Sequence, residues 1–372
     1  MRHLDLPVGK SAREWGQIHG ESFRGEVKAI AQIRTYLCTK VGGFKTTEQV
    51  MIAARAHLPV LERYDLALYA ELLGIAEGAQ VSPEEIVIAN HYTDLRDLDP
   101  DPTKWQPAPM QDDALAHGTS AGAEGLGGDG CSVFYAATPT GRIVAQTWDM
   151  HATAIPYVMS LHVPATASSP AATLLTVTGC LGMAGMNTSR VGIAINNLFS
   201  TDATLGVVWP AMVRRALQEE SAAAARDVIA TSPIGSGHHY FVADRKEAYA
   251  IEASGTRRKQ VFENGATYSH TNHSFDPDVA ARSKVPATST TYDRLKWLEG
   301  DLARAPVKDL DDAWTRLGSE EGWPRSVCTN MATPESPHGA ATCGAIAMNL
   351  DSGELYIQQG FIHNVAPEKS KL

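Results

Sequence analysis

One cysteine stands at the junction between a glycine-rich stretch and an alternating apolar stretch. In the segment GGDGCSVFYAA, residues 127–137, Cys131 follows Gly130 and opens the apolar run. A thiol attacks well only as the thiolate, and a free cysteine titrates at about 8.5. Cutting the 130–131 peptide bond would give Cys131 a free α-amine, with an unperturbed pKa of roughly 7.7–8.0. Nucleophile and general base would then lie on one residue.

The residues before the cysteine suit such a cut. Gly130 has no Cβ to block the approach of the Cys131 thiol to its carbonyl carbon, and glycine tolerates strained backbone angles. The preceding stretch, residues 99–130, holds four prolines and six glycines and has no period. This composition predicts a flexible linker that ends at the cleavage site and leaves the pocket after the cut.

The elements that must position this junction can be predicted from residue patterns. Residues 1–98 carry apolar residues at helical spacing. Ser11 with Glu14, and Ser82 with Glu85, are typical of capping boxes at helix N-termini. The first part of the chain is therefore predicted to be helical.

Beyond the linker the pattern changes to strand, turn and strand. Turn signals predict three hairpins, in SVFYAATPTGRIVAQTWD, HYFVADRKEAYAIEAS and GAIAMNLDSGELYIQQG. Helical patterns lie between them at 210–230, 291–303 and 308–318. Residues 151–189 contain no charged side chain but are broken by proline and glycine, which favours doubly buried strands over a membrane span. Paired strands separated by helices indicate sheets that helices cover.

Composition excludes several classes of function. The chain has 372 residues with 44% hydrophobic content, enough to bury a sizeable core. Its net charge of −10 disfavours a surface for nucleic acid or anionic membranes. The five cysteines are widely spaced with no CxxC pair, so neither a disulfide framework nor a zinc site is expected. The N-terminal residues lack an apolar signal core, and the expected location is the cytoplasm.

Seven short motifs occur in a fixed order over nearly the whole chain. They are SAREWGQIHG, EEIVIAN, GDGCS, TWD, GMNTSRVGIAINN, IEAS and HTNH. This ordered set resembles the penicillin acyltransferase family, the self-processing cysteine acyltransferases among the N-terminal nucleophile hydrolases. The resemblance implies an α+β fold of four αββα layers, with two stacked antiparallel sheets between helical layers. It divides the chain into a helical pro-region (1–98), the linker (99–130) and a catalytic fragment (131–372).

The resemblance also implies roles for individual side chains. Asp149 would orient the new amine, and pairing within the first hairpin places it near Cys131. Asn272 would donate its side-chain amide to the oxyanion. Ser254 would support self-cleavage or hold the amine through its hydroxyl. Trp148 and Met150 would line the acyl pocket.

Two further features bear on ligands. His270 and His273 have the HxxH spacing, but on a strand residues i and i+3 point to opposite faces, so no metal is expected. Gln358 stands where the penicillin-processing members of the family carry an arginine. A neutral side-chain amide in place of a charged guanidinium group favours a neutral or amine-bearing leaving group over one that bears a carboxylate.

The sequence thus predicts an amidohydrolase that cleaves a small N-acyl amide through a thioester on Cys131, with acyl transfer as a side reaction. Two alternatives remain open: an acyl-CoA-dependent N-acyltransferase, and a non-catalytic binding module that is never cut. No cofactor is expected. The expected partners are a small-molecule amide substrate and the two fragments of the chain itself, held together as a heterodimer, with no nucleic acid and no membrane.

Overall fold

The computed structural model describes residues 1–110, 130–363 and 365–372. The predicted flexible linker, residues 99–130, lies for most of its length outside these residues. Its described beginning forms a short 3-10 turn at Pro102–Lys104. Pro107 then pairs with Leu205 as an isolated parallel bridge, so this part of the linker is attached to the body of the protein.

Five of the ten described α-helices lie in the first hundred residues, and they include the longest ones. The described helices are α1 (Ala12–Ser22), α2 (Arg24–Val41), α3 (Thr47–Tyr64), α4 (Leu66–Ala79), α5 (Pro83–Asp97), α6 (Trp209–Ala216), α7 (Ala222–Thr231), α8 (Pro277–Ala280), α9 (Thr291–Arg304) and α10 (Leu310–Leu317). Both predicted capping boxes are confirmed: the Ser11 and Ser82 side chains accept from Glu14 and Glu85 N–H, and each glutamate accepts in return. The region predicted as helical at 210–230 forms two helices, α6 and α7.

The strands form two sheets. The described strands are β1 (Arg2–Asp5), β2 (Ser132–Thr138), β3 (Gly141–His151), β4 (Val158–Val163), β5 (Ala172–Val177), β6 (Ala184–Asn187), β7 (Gly192–Asn197), β8 (His238–Ala243), β9 (Ala248–Ala253), β10 (Arg258–Glu263), β11 (Thr267–His270), β12 (Ala340–Asn349), β13 (Glu354–Gln359) and β14 (Glu368–Lys371). Sheet 1 has the order β1-β4-β5-β6-β7-β8-β9-β10, and sheet 2 the order β11-β2-β3-β12-β13-β14. The three predicted hairpins, β2–β3, β8–β9 and β12–β13, are confirmed.

One strand lies inside the region predicted to be entirely helical. β1 pairs in parallel with β4 at the edge of sheet 1, while the other strand pairs are antiparallel. A strand of four residues is too short to show a clear alternation in sequence, which explains why it was not predicted. Through β1, residues 1–98 take part in a sheet that the rest of the chain forms. The division into pro-region, linker and catalytic fragment stays a prediction.

The two sheets stack face to face, and helices cover their outer sides. The Gln146 side chain on β3 bonds the main chain of Ile195 on β7 twice, donating at 2.8 Å and accepting at 2.9 Å. Helix α7 packs on β8 and β9 of sheet 1, while α9 and α10 pack on sheet 2. The layers therefore run helix, sheet, sheet, helix, and the predicted α+β architecture is confirmed.

The charge-free segment 151–189 folds as predicted. Strands β4, β5 and β6 lie within it, and nearly all their residues are buried, because sheet 1 is covered by sheet 2 on one face and by helices on the other. In the described ranges no helix combines the length and the apolar character that crossing a membrane requires.

Candidate active site

Cys131 lies directly before β2 and is 4% exposed. Its main chain is hydrogen-bonded on both sides. Its N–H donates to Asn272 Oδ1 at 2.8 Å, and its carbonyl oxygen accepts from Asn196 Nδ2 and Arg294 Nη1, both at 2.8 Å. Its Sγ is 3.9 Å from the backbone oxygen of Asp149. The cysteine at the predicted junction is thus fixed by side chains from three separate segments.

Strand register explains why these segments meet. β2 pairs with β3 so that Ser132 faces Thr147, which places Asp149 two residues further along β3, beside Cys131. On its other side β2 pairs with β11, and His270 faces Val133. Asn272, two residues beyond His270, therefore also lies at the start of β2.

The Asp149 carboxyl group is fully buried, and neither of its oxygens accepts a hydrogen bond of ordinary geometry within the described parts of the chain. Burial raises the pKa of Asp149 from 3.8 to about 7, although the Arg294 guanidinium and the nearby hydroxyls of Thr342 and Thr147 oppose this shift. A Cβ built on Gly130 would lie 3.5 Å from Asp149 Oδ2 and 3.2 Å from Arg294 Nη2. A buried carboxyl group whose pKa is raised toward neutral pH thus lies beside the predicted cleavage site.

The Asn272 amide has a determined orientation. Its Oδ1 receives two donors, the Cys131 N–H and Arg294 Nη2, each at 2.8 Å. Its Nδ2 donates to the carbonyl oxygen of Asn197 at 2.8 Å. Because two donors face it, the oxygen must point at Cys131. In the uncut chain Asn272 therefore accepts a hydrogen bond at Cys131, whereas the sequence predicted only a donor role.

Arg294 on α9 was not predicted as a site residue. It is fully buried, and its Nη1 also donates to Ser132 Oγ at 3.0 Å, while its Nε donates to Thr290 Oγ1 at 2.8 Å. The sequence carries a signal for a buried arginine. Thr291, Arg294 and Leu298 have the spacing of one helix face, and this face of α9 is buried, so the arginine lies in an apolar stripe. Such a position indicates a buried partner.

Ser254 requires a correction. It follows β9, and its hydroxyl donates to Asp202 Oδ2 at 2.9 Å. The Ser254 hydroxyl oxygen in turn accepts hydrogen bonds from the N–H groups of Thr256 and Arg257, at 3.3 and 3.1 Å. A hydroxyl has one proton to donate. Since Ser254 donates that proton to Asp202, the described geometry gives Ser254 a structural role in a turn and does not bring it to the Cys131 amine.

Trp148 and Met150 alternate with Asp149 along β3 and therefore point to the opposite face of sheet 2. Both are buried there in the same hydrophobic cluster as Cys131, and their role in an acyl pocket stays a prediction. Gln358, on β13, is buried, and its Nε2 donates to the carbonyl oxygen of Phe361 at 2.6 Å. These three side chains do not line the cavity that reaches Gly130.

That cavity has a volume of about 510 Å³. Tyr36, Leu37 and Val41 of α2 and Tyr92 of α5 form one wall, and the loop before β12 forms another. Gly130 lies in the lining, so the cavity opens onto the cleavage site. Its size is that of a small-molecule pocket. The lining combines residues from before and after the 130–131 bond.

All five cysteines are buried and free of disulfides. Within the described residues no group of three or more His, Cys, Asp or Glu side chains is arranged to hold a metal ion. His270 and His273, which share the HxxH spacing, have other partners: His270 pairs with Glu252, and the Nδ1 of His273 lies 2.9 Å from Thr291 Oγ1. The cysteine, Asp149 and Asn272 remain as the chemistry-bearing group.

A four-layer α+β fold with a buried cysteine at a glycine–cysteine junction is the arrangement expected of an N-terminal nucleophile hydrolase. The chain belongs to the acyl-coenzyme A:6-aminopenicillanic acid acyl-transferase family, because the model of that family matches residues 136–340, more than half of its length. It is similar to the 40 kDa form of acyl-coenzyme A:6-aminopenicillanic-acid-acyltransferase from Emericella nidulans, with 24% identity over 325 residues, 85% of this chain and 81% of the relative.

Two solved structures are more distant. A mutant of the conjugated bile acid hydrolase from Clostridium perfringens aligns with a TM-score of 0.45 and 11% identity, over 65% of this chain and 92% of that one. Penicillin V acylase from Agrobacterium tumefaciens aligns with a TM-score of 0.34 and 12% identity, over 64% of this chain and 84% of that one.

Proposed function

We propose that this chain is a self-processing cysteine amidohydrolase that cleaves a small N-acyl amide through a thioester on Cys131. One observation carries the proposal: the main chain of Cys131 is held on both sides, while the Asp149 carboxyl group is buried beside it without a hydrogen bond of ordinary geometry and with a pKa raised to about 7. An unpaired buried polar group costs about 1–3 kcal/mol. A binding module that is never cut would have no use for that cost, which disfavours this alternative.

Self-cleavage needs no external catalyst in this geometry. The Cys131 sulfur attacks the Gly130 carbonyl carbon, and the peptide C–N bond breaks as a proton reaches the Cys131 nitrogen. Asp149, with a pKa of about 7, is the base that takes the thiol proton and returns it to this nitrogen. Water then hydrolyses the thioester, which leaves a Gly130 carboxylate and a free Cys131 amine.

The same groups serve turnover after the cut. The new ammonium or amine group lies beside Asp149 and supplies the partner that this carboxyl group lacks in the uncut chain. The amine takes the thiol proton, and the thiolate attacks the substrate carbonyl. Asn272 donates one amide hydrogen to the main-chain oxygen of Asn197, which leaves the second for the oxyanion of the tetrahedral intermediate.

The cavity supports a small substrate and a two-fragment enzyme. Helices α2 and α5 form one wall, and residues after Cys131 form the others. If the chain is cut at 130–131, neither fragment alone has the complete cavity. We therefore expect both fragments to stay together as the active heterodimer.

Acyl transfer is the second candidate, because the curated relative from Emericella nidulans is named an acyltransferase. Both reactions share the thioester, and the acceptor that reaches it decides the product. The sequence argument for a neutral leaving group loses its basis, since Gln358 is held by Phe361 and does not line the cavity.

The experiment uses a panel of N-acyl p-nitroanilides, with release of p-nitroaniline as the signal and Cys131→Ala as the control. Free acid and transfer product are both measured with and without an added primary amine. We expect free acid as the main product. Exclusive transfer, with no free acid when amine is scarce, would make the chain an acyltransferase first, and equal rates for wild type and Cys131→Ala would refute the nucleophile.

A further inference from the structure

Glu252 lies on β9, in the motif IEAS, and is fully buried. Its Oε1 accepts from His270 Nε2 at 2.8 Å and from the N–H of Phe275 at 2.6 Å. Its Oε2 accepts from the N–H of Asp276 at 2.9 Å. Three donors therefore converge on one carboxylate, and all three come from the segment that surrounds Asn272.

The spacing of these donors along the chain is the informative feature. His270 precedes Asn272 by two residues, and Phe275 and Asp276 follow it by three and four. Glu252 thus holds both ends of the turn that carries Asn272, from a strand in the opposite sheet. A turn fixed at both ends leaves its central residue little freedom to move.

Each ring nitrogen of His270 has an oxygen partner. Its Nδ1 is 2.7 Å from the carbonyl oxygen of Thr271, and its Nε2 faces the Glu252 carboxylate. Both oxygens can accept hydrogen bonds, so both ring nitrogens of His270 face acceptors. His270 and Glu252 form a completely buried pair, with the additional hydrogen bonds that such a pair needs.

The ring of His270 also supports the other side of Cys131. It stacks on His239 with ring centroids 3.7 Å apart and an angle of 5° between the planes. The Nδ1 of His239 donates to Asn196 Oδ1 at 2.7 Å, because Nδ2 of that asparagine donates to the Cys131 carbonyl oxygen. Burial, and then the charge of His270, hold the pKa of His239 well below its usual range, which keeps this ring neutral.

We propose that Glu252 and His270 are positioning residues for the reaction, an ion pair that fixes Asn272 on the amide side of Cys131 and, through His239, Asn196 on its carbonyl side. The inference rests on the proposed function, since it assigns how that site is held. It also gives the motif IEAS a role through its glutamate, whereas the sequence had assigned the role to Ser254.

The test compares Glu252→Gln with Glu71→Gln. Glu71 is an equally buried glutamate, 2% exposed, that pairs with Arg214 through both oxygens at 2.9 and 3.0 Å, and it lies on α4 away from Cys131. Both substitutions replace one carboxylate oxygen of a buried ion pair by an NH2 group. They should therefore lower the melting temperature comparably, but only Glu252→Gln should displace Asn272.

Each full-length chain is made in a cell-free system, translation is stopped, and conversion to fragments is followed by mass. We expect Glu252→Gln to self-cleave about 10²-fold more slowly than wild type, as a small displacement of reacting groups predicts. On the N-acyl p-nitroanilides the cut protein should show a reduced kcat with an unchanged KM. Glu71→Gln should match wild type in both rates.

Equal rates for Glu252→Gln and Glu71→Gln would overturn the positioning role. If Glu252→Gln does not fold, His270→Gln answers the same question, because its amide still donates to Glu252 but lacks the charge, and a rate equal to wild type would again refute the proposal. A wild-type chain that never self-cleaves would instead refute the proposed function, and the inference would fall with it.

Discussion

Two buried aspartates, Asp202 and Asp149, differ in the hydrogen bonds that their carboxylates accept. Asp202 is satisfied by the hydroxyls of Ser200 and Ser254 and by the N–H of Gly255, at 2.5, 2.9 and 3.0 Å. Asp149 is just as buried but accepts no hydrogen bond of ordinary geometry in the described ranges, and burial raises its pKa to about 7. The first carboxylate stabilises a turn. The second is left reactive, beside the one bond that the chain is proposed to cut.

The largest effect is expected for Asp149→Asn. The amide cannot take the thiol proton or pair with the new ammonium, so self-cleavage should slow on the order of 10³-fold, within the usual range for a lost general base. In wild type, self-cleavage should fall as pH drops below about 7, because Asp149 is then protonated. Precursor conversion measured from pH 5 to 9 checks both statements, and a wild-type rate that does not vary with pH would contradict them.

The variant Arg294→Gln tests whether the pKa of Asp149 sets the pH dependence of self-cleavage. Arg294 is the charge that lowers the pKa of Asp149 against the effect of burial. Its removal should raise this pKa further, by about one unit or more. The acid limb of the self-cleavage profile should move to higher pH by the same amount. A profile that slows uniformly without moving would mean that Arg294 acts only through its hydrogen bonds to Cys131 and Asn272.

Stability should depend on pH through Asp149. The folded-state pKa is raised above the ordinary value of 3.8, so this group favours the folded state below pH 4, and that contribution is lost as pH rises to about 7. In the uncut Cys131→Ala background, Asp149→Asn should remove this dependence. The difference in free energy of unfolding between the two proteins should change by a few kcal/mol between pH 4 and 8. A constant difference in urea titrations would contradict the raised pKa.

The smallest effect on catalysis is expected for Ser254→Ala. This substitution removes a donor to Asp202 and an acceptor for two backbone N–H groups, so the free energy of unfolding should fall by about 1–3 kcal/mol. The self-cleavage rate of the folded protein should stay within about twofold of wild type, because Ser254 lies in the turn at Asp202 and does not contact Cys131. Slower cleavage at unchanged stability would return Ser254 to the active site.

The sequence was sufficient where local signals decide structure. Turn residues predicted the hairpins, and the hairpin β2–β3 alone places Asp149 beside Cys131. It was insufficient where contacts form between distant segments. β1 pairs with β4 across more than 150 residues of chain, and the position of Arg294 in the apolar stripe of α9 indicates a buried partner without identifying it as Cys131.

Two cases show what the motifs leave open about individual side chains. Alternation along β3 turns Trp148 and Met150 away from Asp149 and into the core cluster that contains Cys131, so their role in an acyl pocket stays a prediction. Ser254 has a partner in Asp202, which belongs to none of the recognised motifs. Motif order therefore pointed to a candidate site, but only the three-dimensional contacts separate the residues at Cys131 from those that support neighbouring turns.

The most direct test of the account is the intact mass of purified protein. The account predicts that the wild-type chain of 372 residues yields two co-purifying fragments separated between Gly130 and Cys131, and that Cys131→Ala stays a single chain. A wild-type protein that hydrolyses N-acyl p-nitroanilides while its mass remains that of the full chain would contradict the account, because Cys131 would then have no free amine to act as base.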